Sequence, residues 1–235
     1  MSEKTETIAV DGGEMAIYVA RPSRPNGGAV VALQEIFGVN ANIRGIADDL
    51  AAKGYLAVAP DLFWRQRPGV DLDPADPASR ETAMALLGGL DWKRAAADAA
   101  AAATWLQQQP AVTGKVGVIG FCMGGNLAYQ MAANAPVAGV VVYYGTNLHK
   151  VLKSSQGFPG EMLIHVAGAD YLCPPDAQAE IAETFRANDR VKVLIHPGAE
   201  HAFARSGAAH FHPEAAGRAN AETDAFLSRL LTVAS

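Results

Sequence analysis

Eight short apolar runs rich in β-branched residues alternate along the chain with six longer segments of helical period. This alternation constrains the fold most, because parallel strands need a crossover of roughly a dozen residues and a helix is the usual one. The strand runs fall near residues 7–10, 15–21, 28–33, 56–60, 115–120, 137–144, 161–168 and 191–197, and the helical segments near 43–53, 77–87, 93–109, 125–134, 176–188 and 216–231. Most of the strand runs are apolar on both faces, as burial beneath helices on two sides requires. The first two flank Asp11-Gly12-Gly13, a turn signal that predicts an antiparallel hairpin at a sheet edge. The expected fold is α/β, a mainly parallel eight-stranded sheet with helices on both faces, as one domain over residues 1–235. Gly54 and Pro110 mark helix ends, and the alanine run at 95–103 reads as a closely packed helix. Segment 63–77, with Pro68, Gly69, Pro74 and Pro77, reads as a loop or lid.

Composition narrows the partners. Asp and Glu total 24 against 19 Lys and Arg, a net charge of −5, and no basic run occurs, so nucleic acid is not an expected partner. The longest apolar stretch, 137–144, is far short of the roughly 18 residues that cross a bilayer, so no membrane span is expected. The start of the chain, Met1-Ser2-Glu3-Lys4-Thr5-Glu6-Thr7, is polar, without the apolar core of a signal peptide, and reads as that of a cytoplasmic protein. Only two cysteines occur, Cys122 and Cys173, too few for a disulfide framework and without zinc-site spacing. His210 and His212 have no third ligand in reach by sequence, so no metal is expected.

The segment Val116-Gly117-Val118-Ile119-Gly120-Phe121-Cys122-Met123-Gly124-Gly125 runs from a buried strand into a helix through Gly-x-Cys-x-Gly. In such an elbow the nucleophile takes a strained backbone conformation, and side chains at the glycines would strike the neighbouring strand and helix. The following helix turns its positive end toward Cys122, which favours thiolate over thiol. The competing reading is a buried structural cysteine whose glycines merely permit a tight turn; placement between strand and helix favours the nucleophile. Cys173, in Tyr171-Leu172-Cys173-Pro174-Pro175, has neither elbow nor preceding strand and reads as loop packing, with a redox role left open.

A sulfur nucleophile needs a base, and the base needs a group that fixes its tautomer. Of the six histidines, His165 lies inside a strand, His149 in a polar loop and His196 at a strand end, and all three read as structural or solvated. His201 follows the last strand by a few residues, where sheets of this kind place their chemistry. Asp170 holds the matching position after the preceding strand. The order Cys122, Asp170, His201 is nucleophile, acid, histidine, the α/β-hydrolase order and not that of chymotrypsin or subtilisin.

Through these residues the chain resembles the dienelactone hydrolases, the carboxymethylenebutenolidases of the α/β-hydrolase superfamily. The likeness rests on Gln34-Glu35-Ile36-Phe37-Gly38-Val39-Asn40, Ala59-Pro60-Asp61-Leu62, the cysteine elbow, Tyr143-Tyr144-Gly145, loop 168–175 and Glu200-His201-Ala202-Phe203-Ala204-Arg205. It implies an α/β-hydrolase fold with Cys122 as nucleophile, His201 as base and Asp170 as the orienting acid. It places Glu35 near the thiol, to take part in activating it when substrate enters; the alternative for Glu35 is a strand-end carboxylate capping the next helix. Backbone amides of Ile36 and Met123 would form the oxyanion hole. Arg80 and Arg205 match positions that hold a substrate carboxylate, a task suited to the bidentate guanidinium, although a solvated helix arginine also accounts for Arg80. Met84, one turn after Arg80, stands where an aromatic residue is expected, which bears on the substrate and not on the reaction type.

The expected function is hydrolysis of a small anionic conjugated lactone, of the dienelactone to maleylacetate type, through an acyl-enzyme on the Cys-His-Asp triad of a monomer without cofactor. A general carboxylesterase or thioesterase of the same family is the alternative. A non-hydrolytic thiol redox sensor or small-molecule binder is a further one, disfavoured because a sensor needs neither histidine nor oxyanion hole.

Overall fold

The computed structural model describes residues 4–232; residues 1–3, part of the segment read as lacking a signal peptide, lie outside the described residues. All eight strand runs join one sheet: β1 Thr5–Val10, β2 Gly13–Ala20, β3 Ala29–Leu33, β4 Leu56–Pro60, β5 Val116–Phe121, β6 Gly139–Tyr143, β7 Glu161–Ala167 and β8 Val191–His196, in the order β1-β2-β4-β3-β5-β6-β7-β8. The pairs β1–β2 and β2–β4 are antiparallel and the rest parallel. At the edge hairpin Val10 pairs with Gly13, which leaves Asp11 and Gly12 as the turn; Gly12 takes a φ of +80°.

The six helical segments become α1 Ala41–Ala52, α2 Pro77–Gly88, α3 Trp92–Gln107, α4 Met123–Met131, α5 Pro175–Phe185 and α6 Pro213–Leu231. Side chains of Asn40, Asp76 and Asp91 cap the first three by accepting from backbone amides that have no partner inside the helix. The strands alternate between two cores. Val31 and Leu33 share one with Val118, Val140 and Val142, covered by α3, α4 and α5; Val30 and Ala32 share the other with Ile119, Val141 and Tyr143, covered by α1 and α6. The alanine run buries Ala95, Ala99, Ala102 and Ala103, whose small side chains let α3 lie close to the sheet.

Three details differ from the sequence expectation. Helix α4 begins at Met123 rather than 125, and its last turn tightens to a 3-10 helix at Ala132–Asn134. A 3-10 segment at Leu148–Ser155 was not expected; it is held by tertiary contact, with Leu148 and Leu152 buried and the Tyr129 hydroxyl donating to Leu152 O at 2.6 Å. The loop at 63–77 is pinned rather than free: Gly69 N donates to Asp61 Oδ2 at 2.7 Å, Asn40 Nδ2 donates to Leu72 O at 3.2 Å, and Arg44 pairs with Asp71 at 2.8 Å. Among the described residues, no helix is long and apolar enough to cross a membrane.

From β3 the chain moves outward to β4, then returns to the other side of β3 as β5. That reversal opens a crevice beyond the carboxyl ends of β3 and β5, where open α/β sheets bind their ligands. The segments that leave those two ends begin with Gln34-Glu35-Ile36 and with Cys122-Met123.

Candidate active site

Cys122 occupies the elbow between β5 and α4 with φ 55° and ψ −117°, a region that side chains rarely adopt. A Cβ on Gly120 would lie 2.0 Å from Gly124 O, and one on Gly124 would lie 2.5 Å from the carbonyls of Leu33 and Gln34. Both glycines are therefore required by the close approach of strand and helix. Cys122 N donates to Tyr143 O at 3.1 Å, and Cys122 O accepts from Gly125 N and Thr146 N, so neighbouring backbone fixes the strained turn. The side chain is buried, and its sulfur lies 3.2 Å from Thr146 Oγ1.

Asp170 and His201 come from the loops after β7 and β8. Gly168 N donates to His196 O at 2.9 Å and Ala169 N to Ala199 O at 2.8 Å, which laces the two loops together. His201 Nδ1 donates to Asp170 Oδ2 at 2.7 Å, while Asp170 Oδ1 accepts from Leu172 N at 2.8 Å. Fixing Nδ1 as the donor leaves Nε2 for chemistry; it is buried and makes no hydrogen bond of ordinary geometry among the described residues. Burial pushes the imidazole pKa down, but the charge on Cys122 and hydrogen bonding with Asp170 and Cys122 outweigh it and hold the group up at about 10.

Glu35 is buried, and its Oε2 accepts from Arg205 Nη1 at 2.9 Å. The Arg205 guanidinium lies 5.4 Å from the Phe37 ring centroid. Arg80 is exposed on α2, yet lines the same groove of about 860 Å³ as Arg205, with Asn40, Asp71, Asp73 and His210. Met84 is 54% exposed on the same helix. Among the described residues, the Ile36 and Met123 amides are not engaged in the loop and cap hydrogen bonds of the surrounding backbone.

Two residues escaped the sequence reading as parts of the site. Tyr144, at φ 39°, sets its ring at 5.2 Å and 67° to His201; burial, with the charges of Glu35 and Cys122, pushes its phenol well above the ordinary range. Thr146 contacts the sulfur directly. The usable signal was positional, since β6 neighbours β5 and its carboxyl-end loop must border the elbow.

Four of the five remaining histidines make contacts elsewhere. His165 Nδ1 lies 3.1 Å from His196 Nε2, and His165 Nε2 lies 3.1 Å from Thr223 Oγ1. Thr223 in turn meets the Tyr143 hydroxyl, which donates to Asn220 Oδ1. His210 pairs with Glu200, and His212 caps α6 by accepting from Ala215 N.

Sheet order, cysteine elbow and acid–histidine pair define an α/β-hydrolase. The Dienelactone hydrolase family profile matches residues 15–231. A carboxymethylenebutenolidase of Pseudomonas putida is 38% identical over 229 residues, covering 96% of this chain and 97% of its own. Another, from Pseudomonas sp. strain P51, is 34% identical, covering 96% of each chain. The crystal structure of a candidate dienelactone hydrolase from Klebsiella pneumoniae superposes with a TM-score of 0.82 at 25% identity, covering 96% of this chain and 97% of that one. The chain belongs to the dienelactone hydrolase family and is a hydrolase of ester bonds.

Proposed function

We propose that the enzyme opens a small, anionic, conjugated lactone by covalent catalysis on Cys122. The observation that carries this reading is the imidazole held by Asp170 at 2.7 Å, with Nε2 unpartnered and the Cys122 sulfur acting on it electrostatically. The Cys122 thiol passes its proton to His201 Nε2, and the sulfur reacts as the thiolate. The sulfur attacks the ring carbonyl carbon, the carbonyl electrons move onto oxygen, and the Ile36 and Met123 amides receive that oxyanion. The intermediate collapses as the ring C–O bond breaks, its electron pair leaving on an enolate oxygen that conjugation stabilises.

Acylation also resets the base. Once the sulfur is a thioester it carries no charge, so the largest influence raising the imidazole is gone while that of Asp170 remains, and the pKa falls. His201 gives its proton to the departing enolate oxygen and then takes one from water; the hydroxide attacks the thioester, the S–C bond breaks with its electrons returning to sulfur, and the diacid is released. A substrate carboxylate at the groove shared by Arg80 and Arg205 would compete with Glu35 for the Arg205 guanidinium and free the Glu35 carboxylate beside the thiol.

The test is a panel of dienelactone, its methyl ester, p-nitrophenyl acetate and an acyl thioester. A kcat/KM for the anionic lactone well above that for the other three is expected. Preference for p-nitrophenyl acetate or the thioester would move the reading to a general esterase or thioesterase. No turnover of any of them would overturn the lactone reading and place the substrate among other esters.

A further inference from the structure

The contact between Cys122 Sγ and Thr146 Oγ1 at 3.2 Å is not required by the triad, and it joins a reacting atom to a side chain whose position is fixed. Thr146 N donates to Cys122 O at 3.1 Å, and Thr146 O accepts from Asn126 Nδ2 at 2.7 Å, with Asn126 on the helix that Cys122 begins. Bonds to its main chain thus tie the threonine to both ends of the elbow and hold its Cβ beside the sulfur. The hydroxyl makes no other hydrogen bond among the described residues, and His201 Nε2 makes none with ordinary geometry.

We propose that Thr146 is a further catalytic residue, whose hydroxyl donates to the Cys122 thiolate, enlarging the thiolate population while blunting its nucleophilicity until an acyl group takes the sulfur. The assignment rests on Cys122 being the nucleophile. The bond's direction follows from the charge: a sulfur that has lost its proton can only accept, and the threonine O–H at 3.2 Å is the donor at hand. Attack forms the S–C bond from the electron pair that Thr146 was stabilising, and the resulting thioester sulfur is a poor acceptor. The hydrogen bond is therefore strongest before attack and weakest after it. The other titratable groups around the sulfur are Glu35 after β3, Tyr144 after β6, and His201 and Arg205 after β8, with Asp170 behind His201; on α4, Tyr129 gives its hydroxyl to Leu152 O.

A hydrogen bond to the charged form favours that form, while nucleophilicity falls with basicity at a Brønsted slope of about 0.4–0.5. Removing the donor should therefore have opposite effects at low and high pH. Thr146→Val keeps the shape and every main-chain bond. The measurement is the rate of Cys122 alkylation by iodoacetamide against pH, with peptide mass spectrometry to separate it from Cys173. The Thr146→Val midpoint should rise by roughly one pH unit, with slower alkylation below it and a plateau about threefold higher above it; Thr146→Ser should restore both limbs. A merely structural role would lower the rate at every pH without moving the midpoint, and that result overturns the proposal, as do superimposable curves or failure of Thr146→Ser to restore them. Alkylation requires no turnover, so the outcome does not depend on the lactone reading. A wild-type protein whose Cys122 resists alkylation at every pH would overturn the nucleophile assignment, and this proposal with it.

Discussion

Arg205 Nη1 lies 2.9 Å from Glu35 Oε2, a pair drawn from positions 170 residues apart and buried to 12% and 3% side-chain exposure. Each charge is out of water only because the other is present. Removing one partner of such a pair costs about 3–5 kcal/mol, while replacing both by neutral groups of similar size costs little. Arg205→Ala should therefore lose stability of that order in urea, and Glu35→Gln combined with Arg205→Met should recover most of it. Equal losses in the single and double variants would mean that packing on Phe37, and not charge, holds the segment.

Arg80 gives the cleaner probe of substrate charge, because it is exposed and shares the groove without belonging to the buried pair. An exposed charge pair contributes about 0.2–1 kcal/mol, so Arg80→Ala should lower kcat/KM for an anionic lactone by about fivefold or less. The methyl ester should be unaffected. A matching fall for both substrates would remove Arg80 from the carboxylate site.

The two cysteines should part ways. Burial and the charge on Asp170 push the Cys173 thiol up to about 11, so it stays protonated and inert at neutral pH. Cys122→Ala should abolish turnover with the fold intact, and Cys173→Ala should keep activity within about threefold, since it removes no thiolate. An acyl adduct mapped to Cys173 by mass spectrometry would reverse the assignment.

For the acid and the base, His201→Ala and Asp170→Asn should each lower kcat by about 10⁴-fold, the size of comparable triad disruptions. Single-turnover kinetics on the same lactone would measure this. A loss below about tenfold at either position would direct attention to another base.

How much of this could be read from the chain depends on range. Strand positions follow from apolar runs, and Cys122 from an elbow whose glycines are close in sequence, so local patterns carry both. Asp170 and His201 were legible because a strand's carboxyl end is a predictable location in this fold. The Glu35–Arg205 pair was not, since each residue had its own expected task and nothing local shows that one neutralises the other. Thr146 was missed for a related reason: its contact with the sulfur comes from β6 lying beside β5, an adjacency the chain order alone does not state.

Acid stability should carry the mark of His165. Burial, with the neighbouring His196, pushes its pKa down from 6.5 to about 3, so between those values the unfolded chain binds a proton that the folded protein refuses. Stability must fall as pH drops through that window, by about 2 kcal/mol at pH 5 from this residue alone. Urea titrations at pH 7.5 and 5 should show a smaller difference for His165→Gln than for wild type. An unchanged difference would assign the acid sensitivity to other groups.

The chain of contacts from Asn220 to His196 also has a reading direction. Tyr143 gives its single hydroxyl proton to Asn220, so Thr223 must donate to Tyr143, His165 must donate through Nε2 to Thr223, and His196 must donate through Nε2 to His165 Nδ1. Only one arrangement of protons satisfies every link, and both imidazoles are locked as neutral Nε2–H forms. The row ends at His196 Nδ1, a buried lone pair without a donor. An extra proton can join this row without breaking a link only there, so acid meets a single gate into the core that supports the β7 and β8 ends, and with them the loops of Asp170 and His201.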